Sequence, residues 1–479
     1  MFLRKFNKLT LLPWVALLVW GCSPHSPMGE PGTGLESDRF EQSEQVTYSD
    51  PGRWWLQLGS KELEALMERA FTKNPGLRAA QARIEQRLAA TGISFAALLP
   101  SANADFTAAK SANRSTGVEV QSTSFSIELQ ASYDLDLFGK NSANLKAAEL
   151  ELLASLEAYK QQLTLLGQQV AKAWFGLASI QAQLEFAQET LLTDQANLEL
   201  IEQSYKLGTA QAAEVLQARE QLTSTELRQV QLRVQQLSAQ QSLRQLVGDY
   251  PSAADLAAQL DLGLQLPPLQ PGLPSGLLKR RPDLRQALLQ LKAQDHRIAA
   301  AVADRFPRLS LTASTGYQST ELSSLSEPNN AFWNLVANLS VPIFDGGRRR
   351  AEVRRQEALL EEQLANYRQS LLGAFGEVES ALVQLKQQDL LLELRQRSVV
   401  IAQQRLALTK SAFVQGVMTF DQVIAAQKQF VTAQTNWITD KRGWIDLRVD
   451  LYTALGGDWT AHYLESLGAE IKDINREEP

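Results

Sequence analysis

Residues 124–137 read Ser124-Phe125-Ser126-Ile127-Glu128-Leu129-Gln130-Ala131-Ser132-Tyr133-Asp134-Leu135-Asp136-Leu137. The odd positions are apolar and the even ones polar. Successive side chains of a strand point to opposite faces, so this stretch predicts a strand with one apolar and one wet face. Leu309, Leu311, Ala313, Thr315 and Tyr317 repeat the pattern against Ser310, Thr312, Ser314 and Gln318. Trp333, Leu335, Ala337, Leu339 and Val341 do so against Asn334, Asn338 and Ser340, and Ser101 to Ala109 carries it most weakly. A soluble sandwich would bury the apolar face, whereas a membrane barrel would set it on lipid. Four strands do not close a barrel, since the smallest have about eight. A barrel would need several copies: a dimer supplies eight strands and a trimer twelve, and arithmetic does not choose.

Working outward, the chain repeats itself. Asn74-Pro75-Gly76-Leu77-Arg78 answers Arg281-Pro282-Asp283-Leu284-Arg285, Pro100 answers Pro307, and Phe138 answers Phe344. Gly208 pairs with Gly416 and Gly248 with Gly456, so five landmarks keep one offset of 206 to 208 residues. Such periodicity marks a duplicated structural unit. Each copy predicts a helix ending near the proline, two strands, a long helix to Gly208 or Gly416, and a returning helix to Gly248 or Gly456.

The first long helix carries a seam: Leu145, Ala148, Leu152, Leu156, Tyr159, Leu163, Leu166, Val170, Ala173, Leu177, Ile180, Leu184, Ala187 and Leu191, resuming at Leu198, Ile201 and Tyr205. Steps of three and four predict a coiled-coil-like face. The segment from Asn141 to Leu207 has no proline, and at 1.5 Å per residue it would span about 100 Å. It is too rich in Gln and Glu for lipid. An isolated coiled-coil spacer is the plain alternative, and the adjoining strands argue against it.

The N-terminus predicts export. Arg4, Lys5 and Lys8 precede an apolar stretch from Leu9 to Trp20, the length of a signal core rather than a membrane span. Val19-Trp20-Gly21-Cys22 resembles a bacterial lipobox, in which the cysteine is acylated and becomes the first mature residue. Ser23 in place of an aspartate favours the outer membrane, by resemblance to sorted lipoproteins. Cys22 is the sole cysteine of 479 residues, which excludes an internal disulfide or a cysteine metal site. The formal net charge of −6 and the export signal argue against nucleic acid, so the basic run Arg348-Arg349-Arg350 with Arg354 and Arg355 is expected to face water or pair with Glu352 and Glu357. No His, Cys or carboxylate constellation, nucleophile motif or phosphate loop points to an enzyme, and no cofactor is expected beyond covalent lipid on Cys22.

Lys279-Arg280-Arg281-Pro282-Asp283-Leu284-Arg285, Phe306-Pro307-Arg308-Leu309 and Val341-Pro342-Ile343-Phe344-Asp345-Gly346-Gly347-Arg348 are specific in order and spacing, supported by Ala425-Ala426-Gln427 and Leu451 to Gly457. With these, the chain from Trp54 to Trp459 resembles the TolC-type outer-membrane efflux proteins, in particular their lipoprotein branch serving resistance–nodulation–division pumps. The resemblance implies an α+β fold: a twelve-stranded membrane β-barrel shared by a homotrimer, continuous with a long periplasmic α-helical barrel. It implies a passive export duct for small molecules that works with a periplasmic membrane-fusion adaptor and an inner-membrane pump. A type I protein-secretion conduit, or a non-pore structural lipoprotein, are the alternatives.

The expected division is 1–22 signal peptide, 23–52 flexible tether, 53–250 first repeat, 251–278 linker, 279–460 second repeat and 461–479 acidic tail. By resemblance, Leu207, Gly208, Thr209, Gln415, Gly416 and Val417 form the periplasmic tips that meet the adaptor. The family's gate aspartates fall here on Gln422 and Ala425. Asp421 is the nearest acid, Glu214 lies at the matching place in the first copy, and Phe413 and Met418 stand where the TolC type has its tyrosine and arginine partners. The polar latch of the family therefore does not transfer, and a softer one from Glu214, Asp421, Phe413 and Met418 is expected.

Overall fold

The computed structural model describes residues 25–26, 29, 40, 48, 52–115, 118–250, 258–267, 272, 274–460 and 463–464. Cys22 and most of the 461–479 tail lie outside them. The chain divides into two compact units, one of 1–34, 83–156 and 286–369, the other of 35–82, 157–285 and 370–479. The boundary falls within the long helices.

The first unit holds one antiparallel sheet in the order β1 (Ser101–Ser115), β2 (Val118–Leu135), β3 (Arg308–Ser319), β4 (Ala331–Ser340). Its register aligns the apolar positions: Ala104 lies opposite Leu129, Leu129 opposite Thr315, and Thr315 opposite Trp333. Phe106, Leu129, Trp333, Leu335 and Leu339 are all exposed, Trp333 to 81%. Among the described residues no second sheet covers this face.

The alternation of residues 124–137 overruns the strand. β2 stops at Leu135 because the Asp136 carboxylate turns back to accept from the backbone N–H of Asn141 (2.9 Å) and Ser142 (2.7 Å). This caps the following helix, α3 (Lys140–Lys206), which comes after α1 (Lys61–Lys73) and α2 (Pro75–Ala96) in the chain. β4 likewise stops at Ser340, short of Val341. Asp345 then caps α7 (Arg348–Val414) by accepting from the backbone of Gly347 (3.0 Å) and Arg349 (3.2 Å). These bonds from Arg349 and Gly347 hold the Asp345 carboxyl below its usual range.

The duplication is explicit in element lengths. α3 and α7 have 67 residues each; α4 (Ala212–Val247) and α8 (Phe420–Leu455) have 36 each. In the second unit it holds atom by atom. Asn74 donates to the Leu246 carbonyl (2.7 Å), and Arg281, 207 positions on, donates to the Ala454 carbonyl (3.2 Å). A Cβ on Gly248 would meet the Lys73 carbonyl oxygen at 2.7 Å, and one on Gly456 would meet that of Arg280 at the same distance. The longer Arg281 also binds Asp283 (2.7 Å) and Glu377 (2.6 Å), which gives the Arg-Arg-Pro-Asp stretch a structural reason.

On α3 the expected seam is realised. Tyr159, Leu163, Leu166, Val170, Leu177, Ala187 and Ile201 are buried, and only Tyr205 of the seam is exposed. From Trp174 to Ser179 the helix is buried on every side. Two turns earlier, Gly167 lies against Phe71 and Trp459 of a ring cluster: Trp55 meets Trp459 edge-on at 4.9 Å, Trp54 stacks on Tyr452 at 5.6 Å, and Tyr463 packs on Phe71 at 5.0 Å. These rings join residues from opposite ends of the described chain. Within 23–52, expected as a flexible tether, three of the few described residues make contacts. His25 bonds Asp295 (2.8 Å), Phe40 is buried, and Arg280 lies 3.5 Å over the Tyr48 ring. Part of the 251–278 linker is helical, in α5 (Pro274–Arg280). Among the described residues no helix is long and apolar enough to cross a membrane.

The glycine contacts are testable. Gly248 combines a φ of +82° with the 2.7 Å approach to backbone. Gly248→Ala is expected to cost about 2–4 kcal/mol, the sum of a strained left-handed residue and a steric clash. Gly92→Ala, mid-helix with open space around it, is expected to be neutral or slightly stabilising. Thermal melts of the helical circular-dichroism signal in detergent would separate the two.

Candidate functional site

The two hairpin ends are built alike. At the first, α3 ends where Gly208 takes φ +77°; its N–H bonds the Tyr205 carbonyl (3.0 Å) and that of Thr209 bonds the Ser204 carbonyl (2.9 Å). At the second, Gly416 takes φ +73°, bonds Phe413 (2.9 Å), and Val417 bonds Ala412 (2.9 Å). Both are Schellman closures, in which a left-handed residue lets the last carbonyls be satisfied. The next helices start alike: Glu214 accepts from the Gln211 backbone N–H (2.9 Å), and Gln422 from that of Thr419 (3.0 Å). Each is one arm of a capping box.

The six expected tip residues, Leu207, Gly208, Thr209, Gln415, Gly416 and Val417, all lie exposed in these turns. The side chains of Leu207 and Val417 are 79% and 75% exposed, so each tip presents apolar surface to its surroundings. The gate candidates separate. Met418, Asp421, Gln422 and Ala425 are exposed, the last three along the face of α8 opposite its buried Val423, Ile424 and Gln427. Glu214 is half-buried and engaged as a cap. Phe413 packs beside Phe420 (5.8 Å between rings), on a cluster of Ile201, Ala218, Phe420 and Ile424 that Leu198 and Val215 complete. This cluster draws on both hairpins.

Farther from the tips, the structure places a group that the sequence reading did not single out. Asp194 of α3 is 2% exposed. Its carboxylate accepts from Thr225 Oγ1 (2.7 Å) and Gln221 Nε2 (3.4 Å) of α4, and from Gln427 Nε2 of α8. Asn197 donates to the Gln427 amide oxygen (3.2 Å). A buried carboxylate is costly unless fully hydrogen-bonded, and here neutral donors do that work. Beyond it Arg228 donates to Thr435 Oγ1 (2.6 Å), and burial lowers its pKa. The signal was present: Asp194 falls in the gap of the apolar seam between Leu191 and Leu198. Among the described residues no group of three or more His, Cys, Asp or Glu could hold a metal.

Comparison with known proteins agrees with this architecture. The pattern of the family described as "Outer membrane efflux protein" matches residues 66–249 and 273–457, one match per repeat. The pyoverdine export outer membrane protein OpmQ of Pseudomonas aeruginosa is 33% identical over 422 residues, covering 86% of this chain and 88% of that one. The cation efflux system protein CusC of Escherichia coli O6:H1 is 29% identical over 457 residues, covering 94% and 98%. A CusC crystal structure superposes with a TM-score of 0.80 at 27% identity, covering 88% of this chain and 99% of that one.

The caps and the carboxylate differ in expected cost. Thr225→Val leaves a buried carboxylate one donor short and is expected to destabilise by about 1–3 kcal/mol. Glu214→Ala removes a cap, at about 1 kcal/mol, and Asp421→Ala, on an exposed face, is expected to stay within about 0.5 kcal/mol. Denaturant titration of the purified protein would rank them.

Proposed function

The chain belongs to the outer membrane efflux protein family, and from that membership we propose how it builds its pore: three copies join edge to edge, each giving four strands to a twelve-stranded barrel. It is an outer-membrane efflux channel, a conduit rather than an enzyme. One observation carries the proposal. The sheet ends on β1 and β4, each with a single neighbour, while its apolar face is uncovered. Lipid tolerates strands only when no edge is left open.

The duplication suggests how the edges meet. If one copy's second repeat follows its first as the next copy's first repeat follows its second, the β2–β3 pairing is repeated between copies. Ser132 opposite Thr312 then becomes Ser340 of β4 opposite Asp105 of a neighbouring β1, using the offsets of 208 and 207 that relate the two hairpins. Leu339 falls opposite Phe106, so apolar positions stay on one face. Val341, which no described strand of its own chain pairs, gains a partner.

The remaining parts follow from the same reading. Cys22 carries lipid and anchors the chain in the outer membrane. The tips at Gly208 and Gly416 form the periplasmic mouth, where exposed Leu207 and Val417 meet a periplasmic adaptor. Asp421, Gln422 and Ala425, with Met418, face the closing aperture, and an inner-membrane pump of the resistance–nodulation–division type supplies the energy. One relative is named for pyoverdine and another for cations, which supports leaving substrate choice to the pump.

Leu339→Cys combined with Phe106→Cys tests the seam, because the only native cysteine is Cys22. Mild oxidation of outer membranes is expected to give covalent dimers and trimers on non-reducing gels. Monomer alone, from protein that is folded and inserted, would overturn the edge-to-edge closure.

A further inference from the structure

The Asp194 group joins what the tips would have to separate. Thr225 and Gln221 belong to the same hairpin as Asp194; Gln427 belongs to the other. The carboxylate therefore has two kinds of donor: those that hold α3 to α4, and one that holds the first hairpin to α8. The group lies 14 residues before Gly208, about 20 Å along the helix. The Ile201, Ala218, Phe420 and Ile424 cluster lies between it and the tips.

Gln427 is also well placed to act on the aperture. It is on the buried side of α8, with Val423 and Ile424, while Asp421, Gln422 and Ala425 occupy the exposed side. Whatever fixes Gln427 fixes the direction of the exposed side. The amide is held at both ends, its nitrogen on Asp194 and its oxygen on Asn197. The group is not saturated: Gln221 Oε1 is buried without a hydrogen-bond partner. A network already one bond short has little reserve when a donor leaves.

We propose that the Asp194–Gln427 contact is the intrachain latch of the mouth, with Asp194 a positioning residue that holds α8 against the first hairpin until opening draws Gln427 away. Parting α8 from α3 leaves a buried carboxylate short of a charge-assisted bond, so the closed arrangement is favoured without any ring of aspartates. This assigns closure to a group inside the chain, where Gln422 and Ala425 stand at the family's two aspartate positions. It rests on the reading that the tips form the mouth.

Two substitutions each remove one donor from the same carboxylate, and only one cuts the link between hairpins. Gln427→Leu, with the near-isosteric Gln427→Glu as a second variant, is expected to raise closed-state conductance in planar bilayers at least tenfold. It should also sensitise cells to antibiotics too large for the closed channel. Thr225→Val is expected to lower thermal stability and leave conductance within twofold of the parent. Equal leakage from Thr225→Val and the Gln427 variants would overturn the latch, as would tight closure in both Gln427 variants. A bulky maleimide on Val417→Cys tests the underlying reading separately. A change in conductance upholds the tips as the mouth whatever becomes of the latch, and no change removes that reading and the latch with it.

Discussion

A β-strand at the edge of a sheet offers a row of unpaired N–H and C=O groups. In water they are hydrated; in hydrocarbon each costs several kcal/mol. The four-stranded sheet of this chain has two such edges, β1 and β4, and an apolar face carrying Phe106, Leu129, Trp333, Leu335 and Leu339 in the open. A sheet with that face belongs against lipid, and a sheet with those edges does not survive there alone. The family to which the chain belongs resolves the conflict by making the pore a property of several chains.

The same constraint gives the duplication its use. Both repeats carry a 67-residue helix, a 36-residue helix and a glycine closing each turn. They share contacts down to single atoms, such as the carbonyl approach at Gly248 and Gly456. Units that match this closely can pack in a ring, with the boundary inside a chain resembling the boundary between chains. The repeats differ where one ring position must be told from another. Asn74 is answered by Arg281, with its extra bonds to Asp283 and Glu377. Asp194 is answered by Ala402, so the buried carboxylate exists only in the first repeat.

Much of this was legible in the residues. Alternation at 124–137 located β2 and the face it exposes, and paired prolines and glycines located every long helix. The α3 seam named residues that are buried from Tyr159 to Ile201. What escaped has physical reasons. Asp136 continues the alternation as a residue type but leaves the strand to cap a helix, and a period-two pattern cannot reveal that. Glu214 and Gln422 read as gate residues from their distance to the tip glycines. In the fold each also satisfies a helix N-terminus, a use open to a Glu or Gln three positions into a helix. Asp194 is a polar residue in an apolar seam, and residue type alone does not tell an interruption from a buried contact. His25, Phe40 and Tyr48 make their contacts from a Pro-, Gly- and Ser-rich stretch whose composition names no partner for them.

The fold thus divides its labour by solvent: strands face lipid and polar helices face water. All of it depends on how many sheets close the barrel. Native mass spectrometry of the mature protein, released intact from detergent micelles, counts them directly. Three chains per particle is the expected result, and a particle of one or two chains would contradict the closure on which the pore depends.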